Sequence, residues 1–133
     1  MANQWYPKGL QHFAQGDIAF LTATIGVILV GTSYVFSSSH EFVTDLGANI
    51  VARSSALGTK TTTNGVLNAA SPVVSAVGGV VNVGFVVLYH NSGSDATSEL
   101  LVYWDTGTGI PLTPNGGDVT VNFDTGPNKI AAL

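Results

Sequence analysis

The side chains of this chain that can ligate a metal or move a proton are few and scattered. Its three histidines are His12, His40 and His90 among 133 residues. A helical zinc site needs two histidines four residues apart, and no such pair occurs, so no metal is expected. Glu41 and Glu99 are the only glutamates. Glycoside hydrolysis would need two carboxylates flanking one bond, and these two share no local motif. Asp105, Asp118 and Asp124 stand at expected strand ends beside glycine turns. Calcium is sometimes held in such places, but the D-x-D-x-D-G grouping is missing and Asx-turn capping is the simpler reading. Serine is plentiful without a G-x-S-x-G elbow or a Ser, His and Asp set in a familiar context. Gly107, Gly109, Gly116 and Gly117 hint at a phosphate cradle, yet no helix N-terminus follows them and no Walker lysine is present. No catalytic residue and no cofactor is therefore expected, and the chain reads as a binding protein rather than an enzyme.

The elements that would position any site are mostly strands. A short helix is expected over residues 7–15: Pro7 suits the first helical position, Leu10, Phe13 and Ala14 recur at helical spacing, and Gly16 terminates it. Two turns of helix gain little from their own hydrogen bonds, so its apolar stripe must dock on a sheet or a neighbouring chain. Residues 22–30 are rich in β-branched side chains. Ile25, Val27 and Leu29 lie on one face and Thr24, Gly26, Ile28 and Val30 on the other, which implies a central strand buried on both sides. Residues 31–40 read as a loop, and 41–46 as a helical turn ended by Gly47. Further strands are expected at 49–55, 61–68, 73–77, 81–89, 99–104, 119–122 and 129–131, with the face of Val81, Val83, Phe85, Val87 and Tyr89 the more apolar. Turn signals stand at Thr63-Asn64-Gly65, Gly78-Gly79, 91–95, 106–109, 113–117 and 124–128. Short strands between such turns predict a mainly β chain, an antiparallel β-sandwich or related roll with a short N-terminal helix. One domain over 1–133 is expected, with residues 1–16 as an N-terminal arm and helix.

Composition narrows the function. Only 9% of residues are charged, against about 25% in an ordinary soluble domain, and mean hydropathy is +0.35. So few charges suggest that much of the surface rests against other protein; a polar but uncharged Gly-, Ser- and Thr-rich surface is the alternative. The net charge of −4 and the absence of a basic cluster argue against nucleic acid as a partner. The apolar run 18–30 is shorter than the ~20 residues of a spanning helix and lacks the flanks of a secretory signal, so no membrane association is expected. There is no cysteine, hence no disulfide framework. Trp5 and Tyr6 precede the helix, and large amphipathic rings near a chain end either fold over their own core or insert into a neighbour. With Leu10 and Phe13 they form the candidate partner interface. Tyr103 and Trp104, on opposite faces of one strand, can both be core only if the sheet is covered twice.

Specific stretches carry a family likeness. The opening, Met1-Ala2-Asn3 through Tyr6-Pro7-Lys8 with Phe13 and Gly16-Asp17-Ile18, is followed by His40-Glu41-Phe42 to Asp45 and by Val51-Ala52-Arg53 to Gly58. The C-terminal third carries Val87-Leu88-Tyr89, Ala96-Thr97-Ser98, Tyr103-Trp104-Asp105-Thr106, the run Gly109-Ile110-Pro111-Leu112-Thr113-Pro114-Asn115-Gly116-Gly117-Asp118, and Asn128-Lys129-Ile130. In these the chain resembles a family of short structural proteins of tailed bacteriophages. It departs from that pattern in having fewer acidic residues in its first strand region and in its Val- and Gly-rich stretch 73–83. The resemblance implies a virion protein: first, a capsid decoration or cement protein on the outer surface of the capsid. Its partners would be the major capsid protein and neighbouring copies of itself, as a trimer or dimer. A tail or neck component at the head-tail junction is the alternative, and a carbohydrate-binding module a more distant third.

Overall fold

The computed structural model describes residues 4–75, 77–79, 81–104, 112–123 and 130–132. The chain enters as a two-residue strand, β1 (Gln4–Trp5), and turns at Tyr6 into helix α1 (Pro7–Ala14). Pro7 opens the helix where a backbone N–H would have no helical partner. Gly16 closes it at φ +82°, a conformation that glycine adopts without strain, with its N–H donated to the Phe13 carbonyl at 3.1 Å. There follow β2 (Ile25–Gly31), a 3₁₀ helix (Val43–Asn49), β3 (Ile50–Arg53), β4 (Thr61–Thr63), β5 (Val66–Asn68), β6 (Val73–Val74), β7 (Val83–His90), β8 (Leu100–Trp104), β9 (Val119–Thr120) and β10 (Ala131–Ala132).

The main sheet has the order β1-β8-β7-β2-β3, antiparallel throughout; β10-β5-β4 and β6-β9 form two small sheets. The chain is thus mainly β with a short N-terminal helix, as its turn spacing predicts. Both faces of the main sheet are covered. On one, Ile25, Val27 and Leu29 of β2 meet Val86 and Leu88 of β7 and Val102 of β8, under Leu67 of β5 and Val74 of β6. On the other, Ile28, Val30, Val87, Tyr89, Leu100 and Tyr103 pack beneath Tyr6, Tyr34, Val43 and Leu46. Each fully buried Leu or Ile in these layers contributes roughly 1.5–3 kcal/mol. The two-faced burial expected of residues 22–30 is present from Ile25 onward; residues 20–23 form a turn, with Ala23 N–H donated to the Ala19 carbonyl at 2.8 Å.

Several expectations are corrected. Residues 61–68 are a hairpin rather than one strand, because Asn64 and Gly65 take φ +53° and +77° and reverse the chain, the pair of positive angles that favours Asn-Gly. Val81, Val83, Phe85, Val87 and Tyr89, expected to form the more apolar face of one strand, do not share a face. A register shift opposite Val30 and Gly31 puts Val83 on the side of Val86 and Leu88, while Phe85, Val87 and Tyr89 face the other core. Gly84 sits at that shift, where a β-carbon would lie 2.8 Å from Thr32 Cγ2. Val81 lies outside the strand, 45% exposed. The strands expected at 73–77 and 119–122 shrink to β6 and β9, and the last becomes β10. The expected turns 106–109 and 124–128 lie outside the described residues, as do Asp105, Asp124, Gly107 and Gly109.

Candidate functional site

Helix α1 reaches the sheet over a glycine. A β-carbon at Gly9 would stand 2.3 Å from the Leu100 carbonyl oxygen and 3.0 Å from Leu101 Cα, so the helix lies directly on the backbone of β8. Just before it, Tyr6 donates its N–H to the Leu101 carbonyl at 2.8 Å and is wholly buried. This corrects one member of the expected interface: the Tyr6 ring packs on Phe36 and Tyr103 of its own chain and offers a partner no surface. Trp5 and Phe13 are half-buried, edge to face at 5.8 Å, and lie against the first core. Leu10, at 37%, is the most exposed of the four. The covered-twice condition is met for Tyr103 and Trp104: the former is buried in the second core, and the latter is half-buried against Phe123.

Beneath the C-terminal half of α1 the structure gathers side chains that the sequence keeps far apart. His12 lies between carboxylates, with Nδ1 2.8 Å from Asp17 Oδ2 and Nε2 2.8 Å from Glu41 Oε2. Glu99 Oε2 is 3.6 Å from His12 Nδ1, and Glu99 Oε1 accepts from His90 Nδ1 at 2.9 Å. Backbone pairing builds this proximity. Residues 41–43 run antiparallel to 98–100, with Val43 N–H donated to the Ser98 carbonyl and Leu100 N–H to the Glu41 carbonyl, both at 2.9 Å. Asp45 fixes the segment further by accepting the N–H groups of Glu41 (2.7 Å) and Phe42 (3.0 Å). Burial works against the charge on Asp45, but those two donors and nearby His40 outweigh it and hold the carboxyl below its ordinary range.

The charge state of His12 follows from geometry. An ionised carboxylate only accepts, so two ring nitrogens that both face carboxylates must both donate, and only the imidazolium can do that. Burial pulls the ring's affinity for the proton down, yet the hydrogen bonds to Asp17 and Glu41 and the charge of Glu99 prevail and raise it above the usual histidine range. The His12 side chain is 17% exposed and that of Glu99 9%. With both nitrogens engaged, this hub has no lone pair with which to take a proton from a substrate, and it acts as an ionic cross-link between the arm and the body. Among the described residues no group of three or more histidine and acidic side chains is arranged to hold a metal ion.

A second chain of polar groups runs through the other core. The Tyr6 and Tyr34 hydroxyls are 2.8 Å apart, and the Tyr34 hydroxyl is 2.7 Å from His40 Nδ1. Burial pushes both phenols up, so they stay protonated. All three histidines therefore hold hydrogen-bonded positions, and Glu41 and Glu99, which share no motif, meet at His12. One signal for the hub was present in the sequence. Glu99 begins an otherwise apolar run, Leu100-Leu101-Val102, and a carboxylate entering a buried strand needs a partner. Elsewhere, Ala48, Ile50, Val51, Gly78, Gly79 and Val81 line an open depression of about 170 Å³. Asp118 is exposed, and no helix of the described residues is long and apolar enough to cross a membrane.

A scan of the chain against protein-family models finds no match, and neither does a search of curated proteins.

Proposed function

We propose that this chain is a structural protein of a tailed-bacteriophage virion, acting by binding rather than by catalysis, and that it decorates the outer capsid surface as a cement protein. The likeness of residues 87–118 and of the N-terminal opening to short tailed-phage structural proteins suggests the class. The observation that carries the reading is the pairing of a 9% charged composition with large apolar side chains standing in solvent: Val35 at 78%, Leu21 at 55%, Val73 at 48% and Val81 at 45%. A protein of this kind is suited to associating through neutral surface. A binder that recognises only the assembled lattice of the major capsid protein stabilises it by mass action, by about 2.7 kcal/mol per site at a hundredfold excess over Kd. Trimers or dimers would match the local symmetry axes of a shell.

The test is to add the purified protein to capsids that lack it and to measure bound copies after sedimentation. Saturation on the order of hundreds of copies per particle, with raised resistance of the shell to heat, is the expected result. Binding of at most a few tens of copies, confined to one vertex, would move the protein to the tail or neck. A protein that stays in the supernatant at every concentration refutes the capsid reading.

A further inference from the structure

The His12 hub has a property that its role as a cross-link does not require: it joins the two ends of α1 to the body by different means. The N-terminal half is held by contacts that no proton can alter, the Tyr6 N–H on the Leu101 carbonyl and the close seating of Gly9 on Leu100. The C-terminal half is held by the packing of Phe13 on Trp5 and the first core and, in its polar contacts and those of the turn after it, through one titratable ring. Beyond His12, the amides of Gln15, Gly16 and Asp17 are donated back to the carbonyls of Gln11 (2.9 Å), Phe13 (3.1 Å) and His12 (2.9 Å), so this turn is closed on the residue that the carboxylates grip.

We propose that His12 is a protonation-controlled latch: its imidazolium clamps the C-terminal half of α1 and the turn through Asp17 onto Glu41 and Glu99, and its neutral form releases them while Tyr6 and Gly9 stay docked. The neutral ring carries one N–H, so one of its two 2.8 Å contacts becomes a lone pair facing a carboxylate. Three carboxylates then remain together without the cation between them. Every charged group around the ring bears on this balance. On the arm these are Asp17 and, one turn earlier on α1, Lys8. The segment before the 3₁₀ helix brings Glu41, with His40 and Asp45 beyond it, and the body contributes Glu99 backed by His90. Phe42, its ring centroid 6.1 Å from that of His12, shields the site from one side.

The direction with pH follows from linkage. A ring whose proton is held more tightly in the folded chain contributes its full stabilisation below the unfolded value of about 6.5, and loses it as pH rises through the higher folded value. Between the two, the closing constant of the latch falls tenfold per pH unit. The latch opens toward alkaline pH and loosens the end of α1 and the turn through Asp17, leaving the apolar seat of Phe13 as their remaining hold, independently of which partner the arm meets.

The test is an NMR titration of the whole chain from about pH 5.5 to about pH 9, following the His12 ring carbon-bound protons and the amides of Gln15, Gly16 and Asp17. The expected result is one common midpoint above about 6.5 for ring and amides. Exchange protection of the three amides, corrected for intrinsic rates, should fall by up to tenfold per pH unit between about 6.5 and that midpoint and level off above it, while β2 amides are unchanged. His12→Gln should show weak protection of residues 15–17 at every pH, with no midpoint. If that variant does not fold, the wild-type titration decides alone. A ring that titrates at or below about 6.5, or amides of 15–17 that do not move with it, overturns the latch.

Discussion

Replacing Gly9 by alanine sets two well-measured effects against each other. In an exposed helix the change stabilises by about 1 kcal/mol, because alanine loses less backbone freedom on folding. Here the new methyl would lie 2.3 Å from the Leu100 carbonyl oxygen, 3.0 Å from Leu101 Cα and 3.3 Å from the Leu100 carbonyl carbon. A carbon-to-oxygen contact needs about 3.3 Å, so α1 must retreat from β8 by about 1 Å. The obstacle is backbone inside the sheet, which cannot swing aside as a side-chain tip would. Overpacking of this sort costs typically about 1–3 kcal/mol. The same retreat would carry His12 from 2.8 Å to about 3.8 Å from the body carboxylate Glu41, outside hydrogen-bond range. That bond is charge-assisted but partly exposed, so its loss adds on the order of 1 kcal/mol. The sum favours destabilisation by about 1–3 kcal/mol after the alanine gain is subtracted. Urea unfolding followed by circular dichroism, with the m-value checked for constancy, measures it. A Gly9→Ala protein about 1 kcal/mol more stable than the parent would show that α1 does not rest on β8, and the latch geometry would fall with it.

Two further outcomes are expected. Tyr6→Phe should lower stability by about 1 kcal/mol in the same assay, since one buried hydroxyl pair is lost while Tyr34 keeps His40; a loss above about 3 kcal/mol would mean that Tyr34 is left without a partner. Arg53 grips Asp95 through two bonds of 2.7 and 2.6 Å at the surface, and the guanidinium holds that carboxyl below its ordinary range. The pair's contribution, below about 1 kcal/mol, is therefore complete above the unfolded value of about 3.9 and lost as pH falls through the lower folded one, so the urea midpoints of wild type and Asp95→Asn should converge in acid and separate toward neutrality.

What could be read from the sequence was what one segment decides alone. Pro7 and Gly16 bracket α1 because helix ends impose local demands, and Ile25, Val27 and Leu29 against Ile28 and Val30 announced a strand covered on both sides. The parity of residues 81–89 could not be read correctly, since the shift at Gly84 depends on how β7 meets β2 and Thr32. The hub was less legible still. His12, Glu41 and Glu99 come from a helix, a loop and a strand entry, and only the backbone pairing of 41–43 with 98–100 brings the two glutamates to one ring. Tyr6 read equally well as anchor or core. Its fate was decided by Phe36 and Tyr103, which nothing near it in the chain announces.

The scarcity of charge takes on a sharper meaning once the described ionisable groups are placed. Asp17, Glu41 and Glu99 surround His12; Asp45 caps the segment beside it; Arg53 and Asp95 hold each other; Lys60 donates to the Ala23 carbonyl and lies over the Phe20 ring. Seven of the few charged side chains thus serve contacts within the chain, and among the described residues the surface beyond them is largely hydroxyl, amide and hydrocarbon. Association through such a face rests on apolar burial and neutral hydrogen bonds, which change little as salt shortens the Debye length from about 10 Å at 0.1 M to about 3 Å at 1 M. Binding to a phosphate backbone behaves oppositely, weakening by orders of magnitude over a smaller change in salt. Were this chain to hold a partner through strong salt yet let go in urea, it would be using its neutral surface, and the engagement of its charges with one another would be the reason.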